Sequence, residues 1–232
     1  MINKKIIIFT IISLLVIGCT TTAKKERKIT NSSQISTPSS SGKYIKEFSK
    51  IFELSLNKQR DRKKNDARIN QLISNVRYDY LVKRSAKVEK VASYIFSKLK
   101  NNLKYLIQKK FDPQNYQKLL LFLGNIKYKP TENYLVEIIR DERVYISTRS
   151  TAIEALGRFK NEQHINFIAK FILNEHYNIV YASSNVCYIM LARTCNKNLK
   201  TKIQLIHNSK VDKKLRKLQT QYLSRILAYL SK

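Results

Sequence analysis

Three histidines, His164, His176 and His207, and three cysteines, Cys19, Cys187 and Cys195, are the residues of this 232-residue chain best suited to hold a metal or carry covalent chemistry. Protein zinc sites draw their ligands in close pairs. His164, His176, Cys187 and Cys195 are instead widely spread along the chain, which is not such a pattern, so structural roles are expected of all four. His207 falls near an expected helix end, where a polar or positive ring suits the terminal carbonyls. No phosphate-binding loop or nucleophile elbow is present. The chain is therefore read as a non-enzyme, with no catalytic residue, metal or cofactor assigned.

Cys19 is different, because it ends an apolar run. Lys4 and Lys5 precede Ile6–Ile17 (IIIFTIISLLVI), after which small and polar residues take over. A spanning helix needs about 20 apolar residues, so a basic start, a short apolar centre and a small-residue exit describe a secretory signal peptide. The exit Val16-Ile17-Gly18-Cys19 resembles the lipobox of bacterial lipoproteins. That resemblance implies cleavage between Gly18 and Cys19, diacylglycerol on the Cys19 sulfur and often a further acyl chain on the new amino terminus. One acyl chain holds a protein on a bilayer only marginally, whereas two or more hold it for long periods. The implied address is the bacterial cell envelope, outside the cytoplasm.

If Cys19 is lipidated, Cys187 and Cys195 can pair only with each other. On one continuous helix, the separation between them is a rise of about 12 Å, beyond what a disulfide tolerates, and a bridge would require the helix to end between them. Two separate thiols are expected, with Cys187 packed as a small apolar residue.

The elements around these residues follow from charge and periodicity. Losing residues 1–18, with their two lysines, lowers the formal net charge from +29 to +27. Lys43–Lys110 holds 19 Lys and Arg against 6 Asp and Glu, and Arg193–Lys232 holds 11 against 1, while Pro130–Glu175 holds 6 against 7. Two basic blocks flanking a near-neutral middle suggest an interaction surface facing anionic lipid or an acidic partner. Basic composition with interleaved tyrosines also suits nucleic acid, but a secreted chain is not expected to meet it.

Residues 19–42 comprise the cysteine and a Ser-, Thr- and Lys-rich stretch with almost no large apolar residue, expected to be a disordered tether. Residues 43–110 show helical apolar spacing, as in Tyr44, Phe48, Ile51 and Ser55, then Ile69, Leu72, Ile73, Val76 and Tyr80. The basic run Lys58–Arg68 between them is expected to be a solvated turn or helix end.

Residues 111–232 repeat internally. NYLVEIIRDE (Asn133–Glu142) lies over NFIAKFILNE (Asn166–Glu175) at an offset of 33, and FLGNIK (Phe122–Lys127) over ALGRFK (Ala155–Lys160) at the same offset. A looser copy sets MLART (Met190–Thr194) over ALGRF at an offset of 35, and a last unit comprises Asn198–His207 and Val211–Leu230. Each unit reads as two helices that stack to bury what neither buries alone.

The stretch IIRDE followed by TRSTAIEALGRF resembles a HEAT repeat. The resemblance implies an all-α chain, an α-solenoid of helical hairpins in which Asp141 and Arg149 tie successive turns and Gly157 ends the inner helix. The next copy departs from it, with Asn174 in place of the acid. The implied role is a scaffold that binds protein. In the final helix, Val211, Leu215, Leu218, Tyr222, Ile226 and Leu230 form an apolar stripe expected to pack on the preceding repeat. Lys210, Lys213, Lys214 and Lys217 occupy another face, read either as a solvated face or as a basic contact surface for anionic lipid or an acidic protein.

Overall fold

Several helix starts are set by single side chains. Asp112, Asn161 and Asp212 each turn a carbonyl or carboxylate oxygen onto the backbone N–H two residues ahead, at 2.9 to 3.0 Å. Such a cap satisfies one of the donors that a helix start leaves open. Pro113, whose fixed φ and missing N–H suit the first helical position, follows the first of them.

The computed structural model describes residues 40–56, 62–83, 86–209 and 212–232. The leader, Gly18, Cys19, most of the expected tether, Lys210 and Val211 lie outside the described residues. Among the described residues the chain is all-helical. Its α-helices are α1 (Ser40–Leu56), α2 (Arg62–Lys83), α3 (Ala86–Ile107), α4 (Pro113–Asn125), α5 (Thr131–Arg140), α6 (Ile146–Gly157), α7 (Glu162–Ala169), α8 (Tyr177–Ile189), α9 (Asn196–His207) and α10 (Lys213–Leu230). Short 3-10 turns, Lys170–Leu173 and Arg193–Cys195, follow α7 and precede α9. The basic run expected as a turn is helical from Arg62 onward.

The apolar spacing read in residues 43–110 faces inward: Phe48, Ile51, Ile69, Leu72 and Val76 are buried. Helices α1, α2 and α3 pack on one another, and α2 and α3 also meet α4. At that junction the hydroxyls of Tyr116 and Tyr134 bond each other, and both lie within hydrogen-bond reach of the Leu99 carbonyl, at 3.2 and 3.1 Å. Burial pushes both phenols well above their ordinary range, so they serve as neutral hydrogen-bonding groups.

From α4 onward the even-numbered helices pack in a row, α4 on α6, α6 on α8 and α8 on α10, while α5 packs on α6, α7 on α8 and α9 on α10. Glycine makes the first two contacts close. A Cβ added to Gly124 would lie 2.7 Å from the Ala155 carbonyl oxygen and 2.8 Å from its Cα, and one added to Gly157 would lie 2.7 Å from a Val186 methyl. Both glycines are helical, so the missing side chain is needed for the approach of the next helix.

The turns repeat as well. Asp141 accepts from the Arg143 N–H at 3.0 Å, and Asn174, one repeat later, accepts from the His176 N–H at 2.9 Å. An amide oxygen thus does what the carboxylate does, and the departure at Asn174 leaves the turn intact. The expected tie between Asp141 and Arg149 is not how these residues pair. Arg149 is buried and donates to the Ile139 carbonyl at 2.9 Å, closing the end of α5, while Asp141 takes the Arg143 guanidinium at 2.8 and 2.9 Å. The Arg143 side chain, only two residues away, reaches the carboxylate, and that pairing holds Asp141 below the usual carboxylate range.

Two expectations are corrected around α8. Cys187 and Cys195 form a disulfide, with Cα atoms 6.3 Å apart. The helix stops at Ile189, Leu191 takes a left-handed φ of 52°, and the chain turns back. The long rise of a continuous helix, which would hold the two sulfurs apart, therefore never arises.

The third repeat also has a different register. Lys127, Lys160 and Leu191 are the left-handed residues that end α4, α6 and α8, and each donates its N–H three residues back, to Gly124, Gly157 and Tyr188 respectively. Structural equivalence sets Leu191 on Lys160, an offset of 31, so MLART does not lie over ALGRF. Tyr188 occupies the glycine position.

Candidate interaction surface

A tyrosine in the glycine position changes how the next helix meets α8. The Tyr188 ring lies against Tyr229 of α10 with centroids 4.8 Å apart, and two turns earlier Tyr181 stacks on Tyr222, also at 4.8 Å. Residues seven apart share one helix face, so Tyr181 and Tyr188 form one edge of a seam, and Tyr222 and Tyr229 the other. Tyr181, Tyr188 and Tyr229 remain 44%, 40% and 49% exposed, and Ile189 beside them 56%. Large aromatic rings with accessible faces and hydroxyls, already held by ring contacts, are what protein-binding surfaces use as anchors.

The seam continues toward α6. Glu154, on the α6 face that meets α8, lines a small hollow of about 40 Å³ with Gly157, Arg158, Asn185, Ile189 and Met190. Burial pushes the Glu154 carboxyl up, with the Arg158 charge opposing it. Burial likewise pushes the Tyr222 hydroxyl up, and Tyr181, Tyr177 and Glu154 add to the shift. These groups from three helices therefore feel one another across a single face. A larger, more open hollow of about 280 Å³ between α1 and α3 has Lys98, Lys104 and Glu53 in its lining.

The final helix departs from its sequence reading. Ile226 and Leu230 of the apolar stripe are buried and Tyr222 is half-buried, but Leu215 and Leu218 are 47% and 57% exposed. The inward face of α10 is instead Gln219, Thr220, Leu223, Ile226 and Leu230. Of the candidate basic contacts, Lys213, Lys214 and Lys217 are exposed and Lys210 is outside the described residues. The lysines and the two leucines thus share the first turns of one helix. Past the Asp212 cap its first turn carries no acidic residue, whereas the first turns of α5 and α7 hold Glu132 and Glu162. Positive charge at a helix N-terminus opposes the macrodipole, by about 0.3–1 kcal/mol per group where it is solvated.

The histidines and cysteines do not converge. His164 bonds Glu132 at 2.5 Å, joining the first turns of α7 and α5, and His176 lies exposed before α8. Cys187 and Cys195 are bonded to each other. Among the described residues no group of three or more His, Cys, Asp or Glu could hold a metal ion, and no helix is long and apolar enough to cross a membrane.

Sequence reasoning misses the tyrosine seam, because it assigns Tyr222 to the core and does not single out the other three. The signal available is the seven-residue spacing of Tyr181 with Tyr188 and of Tyr222 with Tyr229. Comparison with protein-family models, with curated proteins and with solved structures gives no match in any of the three, so this surface is interpreted from its own chemistry.

Proposed function

We propose that the protein is a lipid-anchored, non-enzymatic scaffold of the bacterial cell envelope, an α-solenoid of HEAT-like hairpins that binds a protein partner on the α6–α8–α10 face. The observation that carries this reading is the repeated joint. Gly124 and Gly157, one repeat apart, each admit the next helix in the row, and the row then opens into exposed, mutually packed tyrosines at Tyr188 and Tyr229. A row built from repeating units presents a continuous surface, the usual binding device of solenoids.

The address is supported independently. A buried disulfide suits an oxidising compartment outside the cytoplasm, in keeping with the leader and the Val16-Ile17-Gly18-Cys19 exit. Nucleic acid is not the proposed partner, because a secreted chain would rarely meet it.

Two measurements test the reading. Intact mass spectrometry of membrane-extracted protein should find a chain starting at Cys19 and carrying acyl chains, with both features lost in Cys19→Ala. A full-length, unprocessed chain would defeat the anchor. For the surface, a photoreactive phenylalanine analogue at Ile189 should give a discrete, saturable protein adduct in cells, abolished by Tyr181→Ala with Tyr229→Ala. Absence of any adduct removes the scaffold reading.

A further inference from the structure

The ring pairs fix how α8 and α10 lie along each other. Tyr181 meets Tyr222 and Tyr188 meets Tyr229, so both pairs share one sequence offset and the two helices run in the same direction. The same offset brings Tyr177, the first residue of α8, level with Leu218. Helix α10 starts at Lys213, so its first five residues extend past the start of α8 by about 7 Å. This overhang carries Lys213, Lys214, Leu215 and Lys217, with Leu218 at its root, and all five are exposed. The antiparallel partner α9 ends at the same tip and adds Leu205, 52% exposed. The Arg216 guanidinium donates to the His207 carbonyl at 3.2 Å, tying the two helix ends together.

We propose that this tip is a foot that rests on an anionic phospholipid surface, its lysines on the headgroups and Leu205, Leu215 and Leu218 below them. Charge selects the occupant. From His176 to the end the chain has eleven Lys and Arg and a single acid, Asp212, and Asp212 is engaged in capping α10 through the Lys214 and Leu215 N–H groups. Shape selects a bilayer over an acidic helix. Leu205 on the last turns of α9 and Leu215 and Leu218 on the first turns of α10 are exposed one by one, which a deformable plane can receive. Neither the α1–α3 hollow nor the one beside Glu154 is lined by them to seat a helix. Interfacial segments pair leucine with lysine for the same reason, since apolar insertion and headgroup attraction add.

The foot rests on the envelope reading for its proximity to lipid. Twenty residues between Cys19 and Ser40 span at most about 70 Å however they run, so an anchored chain stays within reach of the bilayer. With the foot down, the tyrosine seam, which begins one turn past Leu218 at Tyr181 and Tyr222, faces its partner near the headgroups.

The test uses the mature-length chain, residues 19–232 with Cys19→Ser, sedimented with vesicles of phosphatidylcholine alone or mixed with phosphatidylglycerol. The unlipidated chain should partition onto the anionic vesicles and not the neutral ones. Replacing Lys213, Lys214 and Lys217 by Ser should weaken partitioning on the order of a hundredfold, and Leu215→Ser with Leu218→Ser about tenfold at unchanged charge. A control replaces Lys43, Lys46 and Lys90, exposed lysines of α1 and α3, by Ser and should lose much less. Equal loss in the control, no effect of the leucine pair, or equal binding to neutral vesicles overturns the foot. Failure to bind either vesicle also overturns it and leaves an acidic protein as the occupant. Since no acyl chain is present, loss of the Cys19 anchor in the mass measurement with vesicle binding intact would refute the anchor and not the foot.

Discussion

Helices α4, α6 and α8 meet at glycines, Gly124 against Ala155 and Gly157 against Val186, whereas α8 and α10 meet through paired tyrosine rings. The two kinds of joint occupy equivalent places, because Gly124, Gly157 and Tyr188 each accept the N–H of the left-handed residue that ends their helix. Where glycine stands, the next helix packs directly onto the helix backbone, through its own backbone at Gly124 and through the Val186 side chain at Gly157. Where tyrosine stands, the helix is held off by a ring, and aromatic surface is left partly in water. Stability should accordingly concentrate at the first joints and binding at the last.

Gly124→Val should do the most damage. Its side chain would enter the backbone of Ala155, which cannot rotate away, so a loss of about 3 kcal/mol or more is expected in urea unfolding. Gly157→Ala meets only the Val186 side chain and should cost about 1–2 kcal/mol. Val186→Ala should relieve it, with a coupling of about 1 kcal/mol in a double-mutant cycle. Equal and uncoupled losses at the two glycines would mean that the joints do not differ in this way.

The disulfide beside the tyrosine joint ranks between the two glycines. Cys187→Ala with Cys195→Ala opens a short loop and should cost about 2–3 kcal/mol. The loss belongs to the second apolar cluster, where Cys187 and Cys195 pack with Val180, Leu199 and Leu223. Reduction of the wild type, followed by thermal melting, should reproduce it. Tyr188→Ala should cost less, about 1 kcal/mol, while abolishing the Ile189 photoadduct. A large stability loss with the adduct intact would make the seam a structural joint like the others.

The glycine joints are legible in the sequence, because two segments align at one offset and glycine is rare enough after residue 43 to mark them. The helix pattern of α1 and α2 is legible through Phe48, Ile51, Ile69 and Val76 at helical spacing. The third copy is misregistered in the sequence because its landmark has changed. Without a glycine, alignment sets Leu191 over Leu156, when its left-handed backbone makes it the counterpart of Lys160. The same early helix end brings Cys187 to Cys195. In α10 the stripe reads as continuous because spacing reports a face and not what covers it. Leu215 and Leu218 share a face with Tyr222, yet α8 begins too late to cover them. For Arg149 the resemblance supplies a pairing with Asp141, and the shorter reach of Arg143 decides otherwise.

Glu154 lies between the two kinds of joint, and its titration gives the finest test of where one gives way to the other. Burial between α6 and α8 raises its carboxyl, so the folded chain holds the proton more tightly than the unfolded chain does. Such a group adds stability that is fully present below the unfolded carboxyl value, about 4.3, and is lost as pH rises through the raised folded value. At neutral pH the ionised carboxylate is therefore a small liability of this face. Glu154→Gln keeps the shape and removes the charge, and should stabilise the chain at pH 7 by roughly a few tenths of a kcal/mol, the scale of a partly exposed site. The gain over wild type should shrink toward zero near pH 4, where the wild-type carboxyl is protonated, as urea unfolding at the two pH values would show. A variant less stable than wild type at pH 7 would mean that the Arg158 charge outweighs desolvation, and Glu154 would then belong with the tightly packed joints and not with the open seam.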